Sequence, residues 1–442
     1  MTDEHRTPIE GWGRFRMPYL QIGLVVTLAA AILSVGLLGP HPSPPPTPLP
    51  RPVTSPLAVL PSALPIATLG PDIAGLDGLA RFNPAPADVR TSWLPDNIAS
   101  PSLAAIGTRI FFVVGTTRIE TTVIGSLAPP QTLVSAPPCV AINQVVAAGT
   151  VLGYVQTSPV GDSNSGSASA AASASSTATA TGCARTSSVA WTIWFTDLGG
   201  GHPRRMASGI RYVDSAATRM YPVRLAMTPT IFAINRPNSP GLMYAGETVE
   251  VRQVKDGKLL WAPQTDKYVA NLMLGGSTLA VLERDSGLEL NIADAVGPSL
   301  FPVARPASTA SLSEDGRFVT WDVAADTAHD IAAGVATLQL PSGGRTLLPV
   351  ATNSTSSTPL QPVVSSTSTG PIVAWYSTAQ GGAVYPAFRD SADSGSGVFS
   401  IVQAPIWIAL RGSTLILVTT DRDGGYTVAF ALDLSRSGFK AT

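Results

Sequence analysis

One short phrase returns seven times along the chain: a Gly, Thr or Asp turn running into β-branched and aromatic residues. The copies are Gly107–Val113, Gly149–Val155, Thr228–Ile234, Gly276–Leu282, Asp315–Trp321, Gly370–Trp375 and Gly412–Val418. A turn and a buried strand recurring at about 40 to 55 residues is the spacing of propeller blades, small sheets that bury their apolar faces only against each other. The rest of the region is built the same way: short apolar runs bounded by Gly and Pro, with no long stretch of 3.6 period. The expected fold is therefore all-β, a β-propeller of seven blades or, as second choice, six. The last copy runs out of strands after Ala429–Leu434, so a strand from the amino side, Val89–Leu94, is expected to complete that blade and close the ring.

Upstream, residues Tyr19 to Gly39 carry no charge. At about 1.5 Å per residue they suffice to cross a hydrocarbon core of about 30 Å. Trp12, Phe15 and Tyr19 sit at the near boundary, and Arg14 and Arg16 flank its amino side. The positive-inside bias then leaves the amino terminus cytoplasmic and the remainder outside, as a single-pass cell-membrane protein. The competing reading is a cleaved signal peptide ending near Ser34-Val35-Gly36, but the apolar run exceeds the usual signal core. From Pro42 to Pro65 the chain is dense in proline, which favours extended polyproline II and hence a stalk. The expected organisation is a tail (1–18), a transmembrane signal-anchor helix (19–39), a Pro-rich stalk (40–96) and the propeller (97–442).

The second blade shows the unit most clearly. Its strands are expected at Val140–Ala147, Val151–Gln156, Val189–Thr196 and Arg204–Ala207, with Asp197–Gly201 as the turn between the last two. Between the second and third strands lies a Ser/Ala-rich insert, 158–182, with too little apolar bulk to offset its ordering entropy. Cys139 precedes the first strand and Cys183 the third, so antiparallel alternation brings both thiols to one end of the blade. On the exported side of a membrane this pair is expected to form a disulfide, which would pin the base of the insert.

Ser313-Glu-Asp-Gly-Arg-Phe-Val-Thr-Trp321 resembles the turn-and-strand signature of the TolB-like, WD-type β-propellers, and Ile193–Arg205 is similar to the second half of the same unit. The resemblance covers about Ser102 to Leu434, and only the second and fifth blades match it well. It implies a propeller that binds proteins outside the cytoplasm, and it brings no catalytic residues. Asp315 and Gly316 are adjacent, unlike the spacing of a sialidase Asp-box. The quinoprotein-like phrase Lys255–Trp261 occurs once rather than in most blades.

With 28 Lys and Arg against 29 Asp and Glu, and no basic cluster, the chain offers no field for a nucleic-acid backbone. A Ser-His-Asp hydrolase needs a base beside its nucleophile. The propeller holds only His202, in a turn, and His329, in a loop. Nor do these supply a zinc site, and Asp421-Arg-Asp-Gly424 lacks the distal Glu of a calcium loop. No cofactor is expected. The connections from second to third strands should emerge on the face that carries the cysteines. There they gather Glu283, Asp285, Asp322, Asp326, His329, Asp330, Asp421 and Asp423, beside the neutral Asn235–Pro240. This acidic rim is the candidate binding surface. The function expected is a protein-binding or scaffolding module at the cell envelope, with a protein partner at the cell surface or in the periplasm. The alternative is an exported enzyme, a hydrolase or quinoprotein-like dehydrogenase, with channel-facing carboxylates.

Overall fold

The computed structural model describes residues 80–81, 89–95, 98, 102–160, 188–212, 223–237, 246–265, 267–284, 288–294, 300–304, 307, 309–323, 334–340, 345–349, 360–368, 370–378, 384–390, 396–398, 405–420 and 427–434. All of them lie in the compact unit Ala63–Thr442. Every regular element among them is a β-strand, and the strands gather into seven sheets. Two strands precede the repeats, β1 (Ala80–Arg81) and β2 (Val89–Leu94). The first sheet is β3 (Leu103–Ile106), β4 (Arg109–Val114), β5 (Arg118–Val123) and β6 (Gln131–Ser135). The second is β7 (Ala141–Ala148), β8 (Val151–Pro159), β9 (Ser188–Asp197) and β10 (Arg204–Tyr212). The third is β11 (Leu225–Met227), β12 (Ile231–Pro237), β13 (Glu247–Gln253) and β14 (Leu259–Trp261), with β15 (Gln264–Thr265) on β13.

The fourth sheet is β16 (Tyr268–Gly275), β17 (Thr278–Arg284), β18 (Leu288–Asp294) and β19 (Phe301–Ala304). The fifth is β20 (Ala310–Leu312), β21 (Phe318–Val323), β22 (Gly334–Gln339) and β23 (Arg345–Pro349). The sixth is β24 (Leu360–Ser366), β25 (Pro371–Thr378), β26 (Val384–Asp390) and β27 (Ser396–Val398), to which β1 adds in parallel. The last contains β28 (Pro405–Arg411), β29 (Thr414–Thr420) and β30 (Thr427–Asp433), and β2 completes it antiparallel to β30. Five sheets are thus built from consecutive strands alone, the sixth gains β1 at its outer edge, and the last joins the two ends of the fold.

The repeated phrase is the second strand of each sheet. These strands are buried along almost their whole length (β4, β17 and β29 have only their ends at the surface) because both faces of each sheet meet a neighbouring sheet. The core accordingly lies between sheets. Phe111 and Val113 pack with Ile142 and Tyr154 across the first boundary, and Ile193 and Phe195 with Phe232 and Ile234 across the second. The first strands touch in sequence, β3 on β7, then β11, β16, β20, β24 and β28, and β28 returns to β3. They line one axis, and the fold is a β-propeller. Closure is reinforced where Gly125 N donates to Ser92 Oγ at 3.0 Å and to Thr91 O at 3.1 Å, tying β2 to the first sheet.

In the second sheet the strands start and end close to where the sequence puts them. The outermost is longer, reaching Tyr212 rather than Ala207. Its extension pairs through Tyr212 with Ser188, across from the start of β9. The expected stalk also gives up residues, since β1 and β2 belong to sheets. Among the described residues no helix is long and apolar enough to cross a membrane. Tyr19–Gly39, most of the stalk and most of the 158–182 insert lie outside those residues.

Candidate functional site

In every sheet the second strand ends, and the third begins, on the same face of the ring. The first strands also start there. One residue past each phrase, at this end of the second strand, the side chain is polar in five sheets: Gln156, Asn235, Glu283, Asp322 and Thr419. Four of these are buried, with Asn235 wholly inaccessible. A buried polar group is tolerable only when hydrogen-bonded, and the bonds made here show what the ring of polar groups does. Asp322 Oδ1 accepts the backbone N–H of Thr309 at 2.6 Å, just before β20. Asn235 Oδ1 accepts the N–H of Arg224 at 2.6 Å, just before β11. Both side chains therefore fix the point at which the chain enters a first strand.

Glu283 is placed differently. Its Oε2 accepts from Asn291 Nδ2 at 2.9 Å, and Lys267 Nζ stands 3.9 Å away. Its cross-strand partner is Glu289, a like charge that Lys267 neutralises at 2.8 Å. The expected rim residues Glu283 and Asp322 are thus strand residues, 4% and 2% exposed, rather than loop residues. The reason is that both strands run past their phrase by two paired residues before the loop begins. Asp285, Asp326, His329, Asp330, Asp421 and Asp423 lie outside the described residues. Cys139 sits on this face with a positive φ of 64° and is disulfide-bonded; Cys183 lies outside the described residues.

Among the described residues, the densest charge on this face is at the boundary of the second and third sheets, which no motif in the sequence marks. Glu247, at the start of β13, is 3% exposed. Its Oε1 accepts from Arg211 Nη2 at 2.5 Å, while its Oε2 accepts from Asn235 Nδ2 at 3.0 Å and from the Val269 N–H at 2.8 Å. One carboxylate thereby joins β10, β12 and β16. Beside it Arg224 is held below the usual arginine range by burial first and by the charge of Arg211 second, with Glu247 opposing. Nearby, Arg236 Nη1 meets Glu250 Oε1 at 2.9 Å and its guanidinium lies 5.5 Å from the centre of the Trp191 ring. The polar residue that follows five of the seven phrases was a signal that could have exposed Asn235 as a structural clamp. Arg211, Arg224 and Glu247 belong to no repeat and carry no such signal.

The opposite face is built from tight turns. Asp197 Oδ1 accepts the N–H groups of Gly199 and Gly201 at 2.8 and 2.9 Å, and these bonds hold its carboxyl below the usual range. His202 is exposed in that turn, as its place in the sequence suggested. For Asp315, burial pushes the carboxyl up, but bonds from Ser366, Ser313 and the Arg317 N–H outweigh it, so the group is held low. Arg411 Nε reaches both Ala105 O and Glu314 Oε1 at 3.2 Å, linking the last, first and fifth sheets near the axis. Among the described residues no group of three or more His, Cys, Asp or Glu could hold a metal ion.

No family model and no curated protein matches the chain. Among solved structures it is similar to a prolyl endopeptidase, from a study of two such enzymes, with a TM-score of 0.49 and 11% identity over 82% of this chain and 48% of that one. It is similar to the β-propeller domain of the Trilobed protease from Pyrococcus furiosus, with a TM-score of 0.47 and 7% identity over 76% of this chain and 96% of that one. It is also similar to an acylaminoacyl peptidase from Pyrococcus horikoshii, with a TM-score of 0.47 and 8% identity over 73% of this chain and 49% of that one. The chain spans about half the length of the two full peptidases.

Proposed function

We propose that this protein is a membrane-anchored, extracytoplasmic propeller that binds a protein partner through the face on which the second strands end. The observation that carries the reading is the division of labour on that face. Buried Asn235, Glu283 and Asp322 are committed to holding strands and partner side chains, as is Glu247. Recognition then falls to the loops set on this fixed base, and those loops are acidic in sequence. Loops on a rigid scaffold are where binding concentrates. The enzymatic alternative relied on channel-facing carboxylates, and one oxygen each of Glu283 and Asp322 is taken up by a structural bond. The TolB-like resemblance agrees with a binding role outside the cytoplasm.

The test is crosslinking of the full-length protein in its native membrane, followed by mass spectrometry, with Asp285, Asp326 and Asp423 changed together to Lys. Asp322 is left alone, since its loss would free the Thr309 N–H and disturb the fold. The substituted protein should lose a partner captured by the parent. An unchanged set of partners, or fractionation of the parent away from the membrane, would reject the reading.

A further inference from the structure

In the first three sheets the turns from third to fourth strand, at 124–130, 198–203 and 254–258, stand at the outer rim of the tight-turn face. They adjoin one another. Arg109, paired with Val123, donates from Nη2 to Leu198 O at 2.9 Å, and Arg204 Nη1 donates to Lys255 O at 2.8 Å. Four of the six large apolar side chains exposed among the described residues belong to this rim: Val123 and Leu127 from the first sheet, Leu259 and Leu260 from the third. Leu127 is 89% exposed. Beside them Arg204, Arg205, Lys255 and Lys258 are exposed as well. The acids of these turns are Asp197 and Asp256, each accepting N–H groups of its own turn, so cations outnumber acids by four to two.

Apolar side chains at turn tips, flanked by Lys and Arg, match the interface of a bilayer. The leucines reach the acyl boundary, while the long cationic stems keep their charges among the headgroups. The amino-terminal part of the chain arrives on the same face. β27, as a fourth strand, starts on the turn face, and β1 lies parallel to it. β2 runs the same way against β30, so Ala80 and Val89 both enter the fold from that side. Tyr19–Gly39, the segment expected to cross the membrane, precedes them.

We propose that these three turns dock on the surface of a bilayer containing anionic lipid, leaving the opposite face turned outward to its partner. The proposal goes beyond partner binding and rests on the anchored reading only for bringing the bilayer within reach.

The test places the full-length protein in vesicles of phosphatidylcholine, with or without phosphatidylglycerol. An environment-sensitive fluorophore is attached without reductant at Leu260→Cys on the rim, or at Arg118→Cys, exposed on the other face. The Leu260 probe should shift to the blue and be quenched by spin-labelled lipid when phosphatidylglycerol is present, and the Arg118 probe should not. Arg205→Gln and Lys258→Gln, both surface changes that should leave the melting curve in place, should each lower the ratio of docked to undocked probe by about fivefold. Flotation with neutral vesicles reads the anchor separately. If it fails, the Leu260 probe should still respond to added anionic vesicles, and the docking face stands without the anchor. No shift with anionic lipid, an equal shift in neutral lipid, or an equal response from the Arg118 probe would overturn the proposal. So would an undiminished ratio in the two Gln variants.

Discussion

At the scale of single residues, burial rather than charge count decides which groups matter. Tyr154 is 3% exposed in the core between the first two sheets, and burial pushes its phenol up to about 12. The neutral form is the one the fold favours. Its contribution to stability is therefore complete below the unfolded value of about 10, and is lost as pH rises through the folded one. In an alkaline titration followed by tyrosinate absorbance, one tyrosine should ionise last, near pH 12 and together with unfolding; Tyr154→Phe should remove that step. A Tyr154 that ionises with the rest would show that the ring is wetter than its packing. The polar residues of the same rim read differently in the sequence. Asp322 and Glu283 were visible as acids after a strand, but a sequence does not show that each strand continues past its phrase and draws them inside.

At the scale of elements, the repeated phrase made the second strands legible because their burial on both faces leaves a continuous apolar run. The first and last strands of each sheet are shorter or more mixed, and their ends were correspondingly harder to place, as the long β10 shows. What lies between elements was not legible. The turns of the fourth and fifth sheets interlock backbone to backbone: Gly276 N donates to Glu314 O at 2.8 Å, and a Cβ on Gly275 would stand 2.0 Å from Ser313 O. Since neither side of that contact is a flexible side chain, Gly275→Ala should destabilise by about 3 kcal/mol, at the severe end of overpacking. Gly107→Ala meets no atom within 4 Å and bears only its positive φ of 55°, so about 1 kcal/mol is expected. Urea denaturation of the two variants tests the ranking, and equal losses would show that the interlock can shift.

At the scale of the whole molecule, closure depends on one strand supplied from ahead of the repeats. The sequence foreshadowed it, since the last repeat is a strand short and Val89–Leu94 has the right character. A chain shortened to begin at Val89 should melt cooperatively as a monomer. One beginning at Asn97 leaves the β30 edge bare and should melt lower and self-associate, as light scattering would detect. Identical behaviour of the two would mean that the ring does not need β2. The pairing of Val89 with Leu432 also sets a timetable. A ribosome or secretion channel that delivers the chain amino end first releases β2 long before its mate exists. All seven repeats must emerge before the final sheet can zip, a pairing of very high contact order. Until then the nascent chain carries two sticky edges, and its last folding step is also the one most open to a wrong neighbour.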